Sequence, residues 1–385
     1  MSRAQILDQL ALSQNLVTAL VEDVDDAICR TQYSAELSPL GWHLGHCVYV
    51  ECYWLHEVVG GDASVTAPLR SFYQPPCTPK AERGRQLPQH AALLHWAQDL
   101  QAYNLDSLAN LNPARASHAL FRDAYLQHFL IQHYSQHYET MLMVLAQKAL
   151  QETVADFAVN QPIKPDVLRQ ERLKVPEGHY RIGGKTPEAY DNELPQQQAQ
   201  LSRFAIARLP VCNSEYLAFM EDGGYGNTRF WPEAGRDWRQ RHPDVEAPEY
   251  WRRNSDGHWF GIGIRGAYQL AATEPVYGIN QYEAEAFANW AGGQLPHEYQ
   301  WEAACRLGLL KDTGRVWEWC RNAFHAYAGY RAFPYDEYSM PWFDAAHFTL
   351  KGGSLYTRPA IKRPSFRNFY QADKRHIFAG LRLVW

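Results

Sequence analysis

The residue pattern changes near residue 154, and this change limits the possible folds more than any other feature of the 385-residue chain. Before it, apolar residues such as Ile6 and Leu10 recur at helical spacing. After it, residues 176–385 carry short β-like runs separated by Gly, Pro and aromatic residues. Helices followed by mixed short strands and helices indicate two separately folded units, one all-α and one α+β. We therefore predict domains at 1–152 and 176–385, joined by a linker at 153–175.

Four helices are predicted in the first domain, which implies an up-and-down bundle. A serine followed by a proline marks the start of the second helix, and a Gly-Gly pair marks its end. The predicted helices run from Ser2 to Ile28, from Ser38 to Gly60, from Pro88 to Asn110 and from Pro113 to Gln151. The second domain has predicted strands at His179–Ile182, Arg203–Leu209, Phe348–Leu350 and Ile377–Val384, and helices at Gln281–Gly292 and Glu298–Leu309.

Composition and charge exclude several classes of protein. No apolar run approaches the roughly 20 residues of a membrane span, and the first residues lack the pattern of a signal peptide. A formal net charge of −5 without a basic block gives no electrostatic basis for binding nucleic acid. The seven cysteines never form a CxxC pair, which favours free thiols in a reducing compartment. We expect a cytoplasmic protein that acts on small molecules, and the sequence leaves homo-oligomerisation open.

Two histidines four residues apart, His133 and His137, lie in the segment HYSQHYE of the fourth predicted helix. Residues i and i+4 share one helix face, so both imidazoles can bind one metal ion. The segment WHLGH of the second helix offers a third ligand, and Gly45 within it leaves room for a close approach. Three neutral nitrogen ligands leave open coordination positions, which oxygen activation and Lewis-acid chemistry both require. The spacing alone is compatible with iron, with zinc, and with histidines that bind no metal.

The same residues belong to a longer series of motifs that points to a family. SPLGWHLGHCVYVE and HYSQHYE resemble the DinB-like domain of the sulfoxide synthases of ergothioneine biosynthesis (EgtB) and their ovothiol counterparts (OvoA). VPEGHYRIGG, NSEYLAFMEDGGY, GRVWEW, LKGGS and FRNFY resemble the partner domain, which is related to the formylglycine-generating enzyme. The resemblance covers nearly the whole chain. It implies a multi-domain α and α+β protein: a DinB-like four-helix bundle, then an irregular formylglycine-generating-enzyme/C-type-lectin-like α+β domain.

In this family a non-haem Fe(II) centre uses O2 to join a thiol sulfur to the imidazole of a histidine derivative. The resemblance implies that His46, His133 and His137 bind the iron, and that His43 is a neighbour of the site. It also implies that Gln136 contacts the substrate imidazole.

FRNFY resembles the family's substrate loop near the end of the second domain. The resemblance implies that Asn368 faces the amino acid end of the substrate and that Phe369 lies against its trimethylammonium group. Aromatic faces suit such a group, because it has no N–H to donate. Tyr370 stands where members that use γ-glutamylcysteine carry Asp, which favours free cysteine as the thiol.

The segment between the second and third helices resembles a family loop that serves the oxygen chemistry. The resemblance implies that Tyr73 lies near the iron as a proton donor. It also implies that Arg83 and Arg85 hold the carboxylate of the thiol substrate, for which the planar guanidinium is well suited.

Several alternatives stay open. An ovothiol-type enzyme would take histidine instead of hercynine (trimethylhistidine), and a selenoneine-type enzyme would take a selenium donor. Full ovothiol enzymes usually carry a further methyltransferase domain, and the chain ends at Trp385 without one, so we expect the ergothioneine type. A thiol S-transferase would use zinc without oxygen, and a binding module would have lost its metal. The thiol donor and the regiochemistry of sulfur insertion are also open.

Overall fold

The computed structural model describes residues 2–152, 156–166 and 170–385. These residues form two compact units, Met1–Gln151 with Thr186–Glu188 and Glu152–Lys185 with Ala189–Trp385. The predicted domain bounds stay a prediction, and residues 153–155 and 167–169 of the predicted linker lie outside the described residues.

The first unit is helical, and its four long helices pack against one another as a bundle. Fully buried apolar residues such as Leu10, Leu44 and Leu130 form its core. The predicted fold class, a helical domain followed by an α+β domain, is confirmed. The helices among the described residues of this unit are α1 (Arg3–Glu22), α2 (Asp26–Arg30), α3 (Leu40–Cys52), α4 (Ala67–Tyr73), α5 (Lys80–Gln86), α6 (His90–Ala109), α7 (Pro113–Ala116) and α8 (Tyr125–Gln151).

The predicted start of the second helix is wrong. Helix α3 begins at Leu40, and Pro39 precedes it without a side-chain cap. The Ser38 hydroxyl instead accepts a hydrogen bond from the Arg83 guanidinium, so a distant partner has replaced the local cap. The helix continues past Cys52 as a π-helical turn over Tyr53–Val58.

The predicted first and fourth helices are each interrupted. The first ends at Glu22, because the Asp25 side chain caps the separate helix α2. In the fourth, a 3₁₀ segment at Ala119–Ala124 separates α7 from α8. Asp123 within that segment has φ 54°, a left-handed conformation that no α-helix accommodates.

A buried polar cluster joins three helices of the bundle. The Glu51 carboxylate on α3 accepts hydrogen bonds from Gln14 of α1, at 2.8 and 3.0 Å, and from the Tyr134 hydroxyl of α8, at 2.7 Å. Burial raises the pKa of Glu51 to about 7, although these hydrogen bonds lower it.

The second unit combines small sheets with four helices among its described residues. The strands are β1 (Arg172–Val175), β2 (Gly178–Ile182), β3 (Gln197–Leu201), β4 (Phe204–Ala207), β5 (Trp251–Arg253), β6 (Trp259–Gly263), β7 (Gly266–Tyr268), β8 (Trp317–Ala323), β9 (His347–Lys351), β10 (Asn368–Gln371) and β11 (Ala379–Gly380). The largest sheet has the strand order β10-β9-β8-β11, and the smaller sheets are β5-β6-β7, β1-β4 and β2-β3. The helices are α9 (Asn213–Glu221), α10 (Glu233–Arg241), α11 (Gln281–Trp290) and α12 (Glu298–Arg306).

Most elements predicted in this unit are confirmed to within a few residues, but the strand Ile377–Val384 is wrong for most of its length. Only Ala379–Gly380 forms β11, which pairs in parallel with β8. The rest of the segment bonds to other parts of the chain; the Leu383 carbonyl, for example, accepts from the Ala207 N–H.

Buried ion pairs hold this irregular fold together. Arg367 pairs with Glu298 and Arg382 with Glu318, each at 2.7 Å and with no side-chain exposure. Arg367 directly precedes β10, so its ion pair with Glu298 connects the start of that strand to α12. Among the described helices of both units, none is long and apolar enough to cross a membrane.

Candidate metal centre

Three imidazoles from two helices meet in the first unit. His46 lies on α3, and His133 and His137 lie one turn apart on α8, which packs against α3. One ring nitrogen of each histidine lies within 4.8 Å of those of the other two. His46 and His133 are buried, and His137 is half-buried. Two nitrogen ligands about 2.1 Å from one ion lie at most about 4.2 Å apart, so rings spaced within 4.8 Å need only a small adjustment to hold one ion together.

The three imidazoles are uncharged near neutral pH. Burial lowers the pKa of His46 to about 4, although the hydrogen bond to the Tyr73 carbonyl raises it. Burial also holds the pKa values of His133 and His137 well below the ordinary value, and the neighbouring imidazoles lower them further. Each ring therefore keeps a lone pair available for a metal ion.

Each imidazole has two ring nitrogens, and the hydrogen bond that one of them makes determines whether the other is free to bind a metal. Nδ1 of His46 lies 2.7 Å from the Tyr73 carbonyl oxygen, so it carries the proton and donates it. Nδ1 of His137 lies 2.9 Å from Nδ1 of His43. If His137 donates in this contact, its Nε2 is free to bind a metal. Nδ1 of His133 is buried and has no hydrogen-bond partner among the described residues. The donor set thus fits a metal ion.

Tyr73, the predicted proton donor, is the last residue of α4 and lies against α3 beside His46. Its ring covers Gly45: a Cβ there would lie 2.2 to 2.4 Å from the ring atoms Cε1 and Cζ and the hydroxyl oxygen. The ring is parallel to that of Trp96, with 5.9 Å between centroids. The side chain is 2% exposed, and burial raises the pKa of the phenol, so it stays protonated.

The two predicted carboxylate ligands lie on the same short helix α5 in different surroundings. Arg83 is 4% exposed and donates from Nε to the Thr78 carbonyl, from Nη1 to the Ser38 hydroxyl and from Nη2 to the Pro75 carbonyl. Burial lowers its pKa to about 10. Arg85 is exposed, and nothing in the described part of the chain pairs with its guanidinium. A carboxylate contact stays a prediction for both.

The predicted contacts to the histidine-derived substrate are divided between the units. Gln136 is half-buried on α8 in the first unit. Asn368, Phe369 and Tyr370 are half-buried on β10 in the second. The Asn368 side chain accepts from the Phe369 N–H at 3.0 Å, and the Phe369 ring stacks on Phe324 with 4.3 Å between centroids. Their contact with a substrate stays a prediction.

Trp42 is a neighbour of the site that the sequence reasoning missed. Its ring stacks on the His46 imidazole, with 4.8 Å between centroids and 9° between planes. Its Nε1 donates to the Phe72 carbonyl at 3.0 Å. The signal was available, because positions 42 and 46 are four apart and share a face of the predicted helix.

Comparison with sequence families assigns a class to each half of the chain. Residues 9–141 match the DinB superfamily. Residues 160–313 and 306–385 match the sulfatase-modifying factor enzyme 1-like domain. The molecule is therefore a two-domain protein that combines a DinB-type bundle with a sulfatase-modifying-factor-type domain, as the motifs predicted.

Individual relatives identify the family. The chain is 32% identical over 445 residues to a hercynine oxygenase of Mycolicibacterium thermoresistibile, covering 100% of this chain and 95% of that protein. It is 31% identical over 452 residues to a hercynine oxygenase of Mycobacterium tuberculosis, covering 100% and 99%. Ergothioneine biosynthesis protein 1 of Schizosaccharomyces pombe is 25% identical over 232 residues, covering 51% and 27%. The chain belongs to the hercynine oxygenase family, which confirms the predicted resemblance.

Proposed function

We propose that the chain is an O2-dependent non-haem Fe(II) sulfoxide synthase of ergothioneine biosynthesis, which joins cysteine to the imidazole of hercynine. The observation that carries the proposal is the cluster of His46, His133 and His137, in a chain that is 32% identical to a hercynine oxygenase. Three protein ligands leave coordination positions for substrates. Fe(II), held by these imidazoles, would supply the oxidising chemistry with O2.

The reaction would replace the imidazole C–H and the thiol S–H by one C–S bond. One oxygen atom of O2 would be added to the sulfur, and the other would leave as water. Tyr73, whose backbone carbonyl contacts His46 and whose phenol stays protonated, would donate a proton to a developing oxygen anion. Positioned proton donation would favour C–S bond formation over plain oxidation of the thiol.

The substrate contacts follow from the chemistry of the two substrates. Gln136 would hydrogen-bond to the hercynine imidazole, and Asn368 would hydrogen-bond to its carboxylate. Phe369 would face the trimethylammonium group, a contact worth about 0.5 to 2 kcal/mol. Arg85, whose guanidinium is exposed, would bind the cysteine carboxylate. Tyr370 stands where users of γ-glutamylcysteine carry Asp, so we propose cysteine as the thiol.

The direct test uses protein purified without oxygen and loaded with Fe(II). With O2, cysteine and hercynine, mass spectrometry should find a product with the summed mass less two hydrogens plus one oxygen. Replacing hercynine by histidine, or cysteine by γ-glutamylcysteine or a selenosugar, separates the ergothioneine, ovothiol and selenoneine types. No product with any histidine derivative would refute the proposal.

Matched variants test the assignment of the site. His133→Asn should abolish both Fe(II) binding and product formation. His95→Asn changes a histidine on α6 whose side chain is 81% exposed, and should alter neither. Three imidazoles can also hold Zn(II). Turnover that needs zinc and no oxygen would therefore replace the proposal with a thiol S-transferase.

A further inference from the structure

Arg83 is a buried cation whose hydrogen-bond acceptors are all neutral. They are one hydroxyl and two carbonyl oxygens, at 2.6 to 3.0 Å. No carboxylate pairs with the Arg83 guanidinium anywhere in the described residues of the first unit. A buried charge without a counter-ion persists only when its hydrogen bonds are satisfied and a polarisable group contacts it. Such a guanidinium is bound to the protein itself, not presented to a ligand.

The polarisable group is the ring of Trp42. The guanidinium carbon of Arg83 lies 3.7 Å from the Trp42 ring centroid. The same indole stacks on the imidazole of His46. The Arg83 guanidinium therefore contacts the Trp42 indole, and the indole contacts the imidazole of the candidate metal ligand His46. Because stacked planes resist rotation, these contacts limit how the His46 ring can turn about its Cβ–Cγ bond.

Arg83 also bonds to residues 72–78, the chain segment that accepts the hydrogen bond of His46. Two of its acceptors, the carbonyls of Pro75 and Thr78, fold residues 72–78 around the guanidinium. Consecutive carbonyls of that segment, those of Phe72 and Tyr73, accept from Trp42 Nε1 and His46 Nδ1.

We propose that Arg83 is a positioning residue for the metal ligand His46, acting through Trp42 and residues 72–78, and that it does not bind the thiol substrate. The inference rests on the proposed function only in that a metal ion binds the three histidines. Without Arg83, neither the Trp42 indole nor the Tyr73 carbonyl would be held in place against the His46 ring. Ligand orientation by such surrounding groups typically changes metal affinity by about 10- to 100-fold.

The main test measures the binding of Co(II) to the protein, which needs no turnover. The Co(II) absorption spectrum also reports the ligand geometry. Arg83→Met keeps the length of the side chain but removes its charge and donors. It should weaken Co(II) binding at least about tenfold and change the spectrum. Arg83→Lys keeps the charge, but its ammonium cannot reach three acceptors or stack flat, so it should fall between Arg83→Met and the wild type. At saturating Fe(II), the KM for cysteine should change less than about twofold in both variants.

Two further variants on the same helix separate positioning from substrate binding. Arg85→Met should raise the KM for cysteine at least about tenfold and leave Co(II) affinity unchanged. Glu82→Gln, at an exposed position, should change neither. Unchanged Co(II) affinity in Arg83→Met would overturn the inference. So would an Arg83→Lys variant that keeps its Co(II) affinity but raises the KM for cysteine tenfold.

A milder variant decides the question if Arg83→Met does not fold. Trp42→Phe keeps an aromatic face but removes the hydrogen bond to the Phe72 carbonyl. It should weaken Co(II) binding at least about threefold, and unchanged affinity would overturn the inference. If the wild-type protein formed no sulfoxide, the proposed function would fail, while the Co(II) measurements would still decide the role of Arg83.

Discussion

Replacing Gly45 with alanine should damage the candidate site while leaving the fold nearly intact. The added Cβ would lie 2.2 Å from Cε1, 2.3 Å from Cζ and 2.4 Å from the hydroxyl oxygen of Tyr73. Ordinary contacts between carbon atoms are about 3.5 to 4.0 Å long. The rings of Trp96 and Tyr49, with centroids 5.9 and 6.5 Å away, border the Tyr73 ring. The hydroxyl end of Tyr73 must therefore move away from α3 by more than about 1 Å.

Two opposing effects determine the change in stability. Removing a glycine from the interior of a helix favours folding by about 0.5 to 1 kcal/mol. Overpacking the Tyr73 ring costs about 1 to 3 kcal/mol. The free energy of unfolding should thus fall by no more than about 2.5 kcal/mol. The effect on activity is larger, because a displacement of about 1 Å in a reacting group can cost 100-fold. We expect kcat of Gly45→Ala to fall about 100-fold.

Three measurements test this reasoning: kcat for sulfoxide formation, urea unfolding and Co(II) affinity. Co(II) affinity should change little, because His46 bonds to the backbone carbonyl of Tyr73 and not to its ring. Gly226→Ala is the control, since a Cβ there meets nothing nearer than 3.6 Å. If the substitution acts through the hydroxyl of Tyr73, adding it to Tyr73→Phe should cause little further loss. A folded Gly45→Ala protein with more than half of the wild-type kcat would refute the argument.

Two further predictions concern groups around the site. The pKa of Glu51 is raised to about 7, above its value of 4.5 in an unfolded chain, so the folded state holds this proton more tightly. The resulting stabilisation is complete below about pH 4.5 and is lost as the pH rises through about 7, by up to about 3 kcal/mol. Glu51→Gln should remove this part of the pH dependence of urea unfolding, and an unchanged slope would contradict it. His43→Leu removes the group that contacts Nδ1 of His137 at 2.9 Å, and should weaken Co(II) binding about tenfold. His43→Asn keeps an acceptor and should recover most of the affinity; equal loss in both variants would show that the contact is only packing.

The histidine cluster could be predicted because much of its signal is local. His133 and His137 share a helix face by spacing alone, and the WHLGH motif supplied His46 through its family resemblance. The structure brings these three residues together. The carboxylate contact of Arg83 stays a prediction, and sequence shows the type of a side chain but not its acceptors. Those acceptors are an oxygen on Ser38 and backbone carbonyls, which carry no sequence signature.

The errors in the limits of the predicted elements have two physical causes, long-range hydrogen bonds and one unusual backbone conformation. Ser38 has the side chain of an N-cap, but its hydroxyl bonds to Arg83, a partner 45 positions away. Asp123 interrupts the predicted fourth helix because it has a left-handed backbone conformation, which the neighbouring sequence does not predict. In the second unit, Leu383 continues an apolar run, yet its carbonyl bonds to a separate strand. Local propensity fails at Ser38 and Leu383 because long-range hydrogen bonds outweigh it.

The three candidate ligands are held to different degrees, and this difference bears on how the site would assemble. His46 is constrained by a stacked indole and by a carbonyl, and His137 by the ring of His43. His133 has a buried Nδ1 without a hydrogen-bond partner in the described residues. A metal ion would thus meet one ligand that hydrogen bonding and stacking orient and another whose ring no hydrogen bond fixes. Because the orientation of His46 depends on residues 72–83, which lie outside both ligand-bearing helices, substitutions there should change metal affinity without touching a ligand.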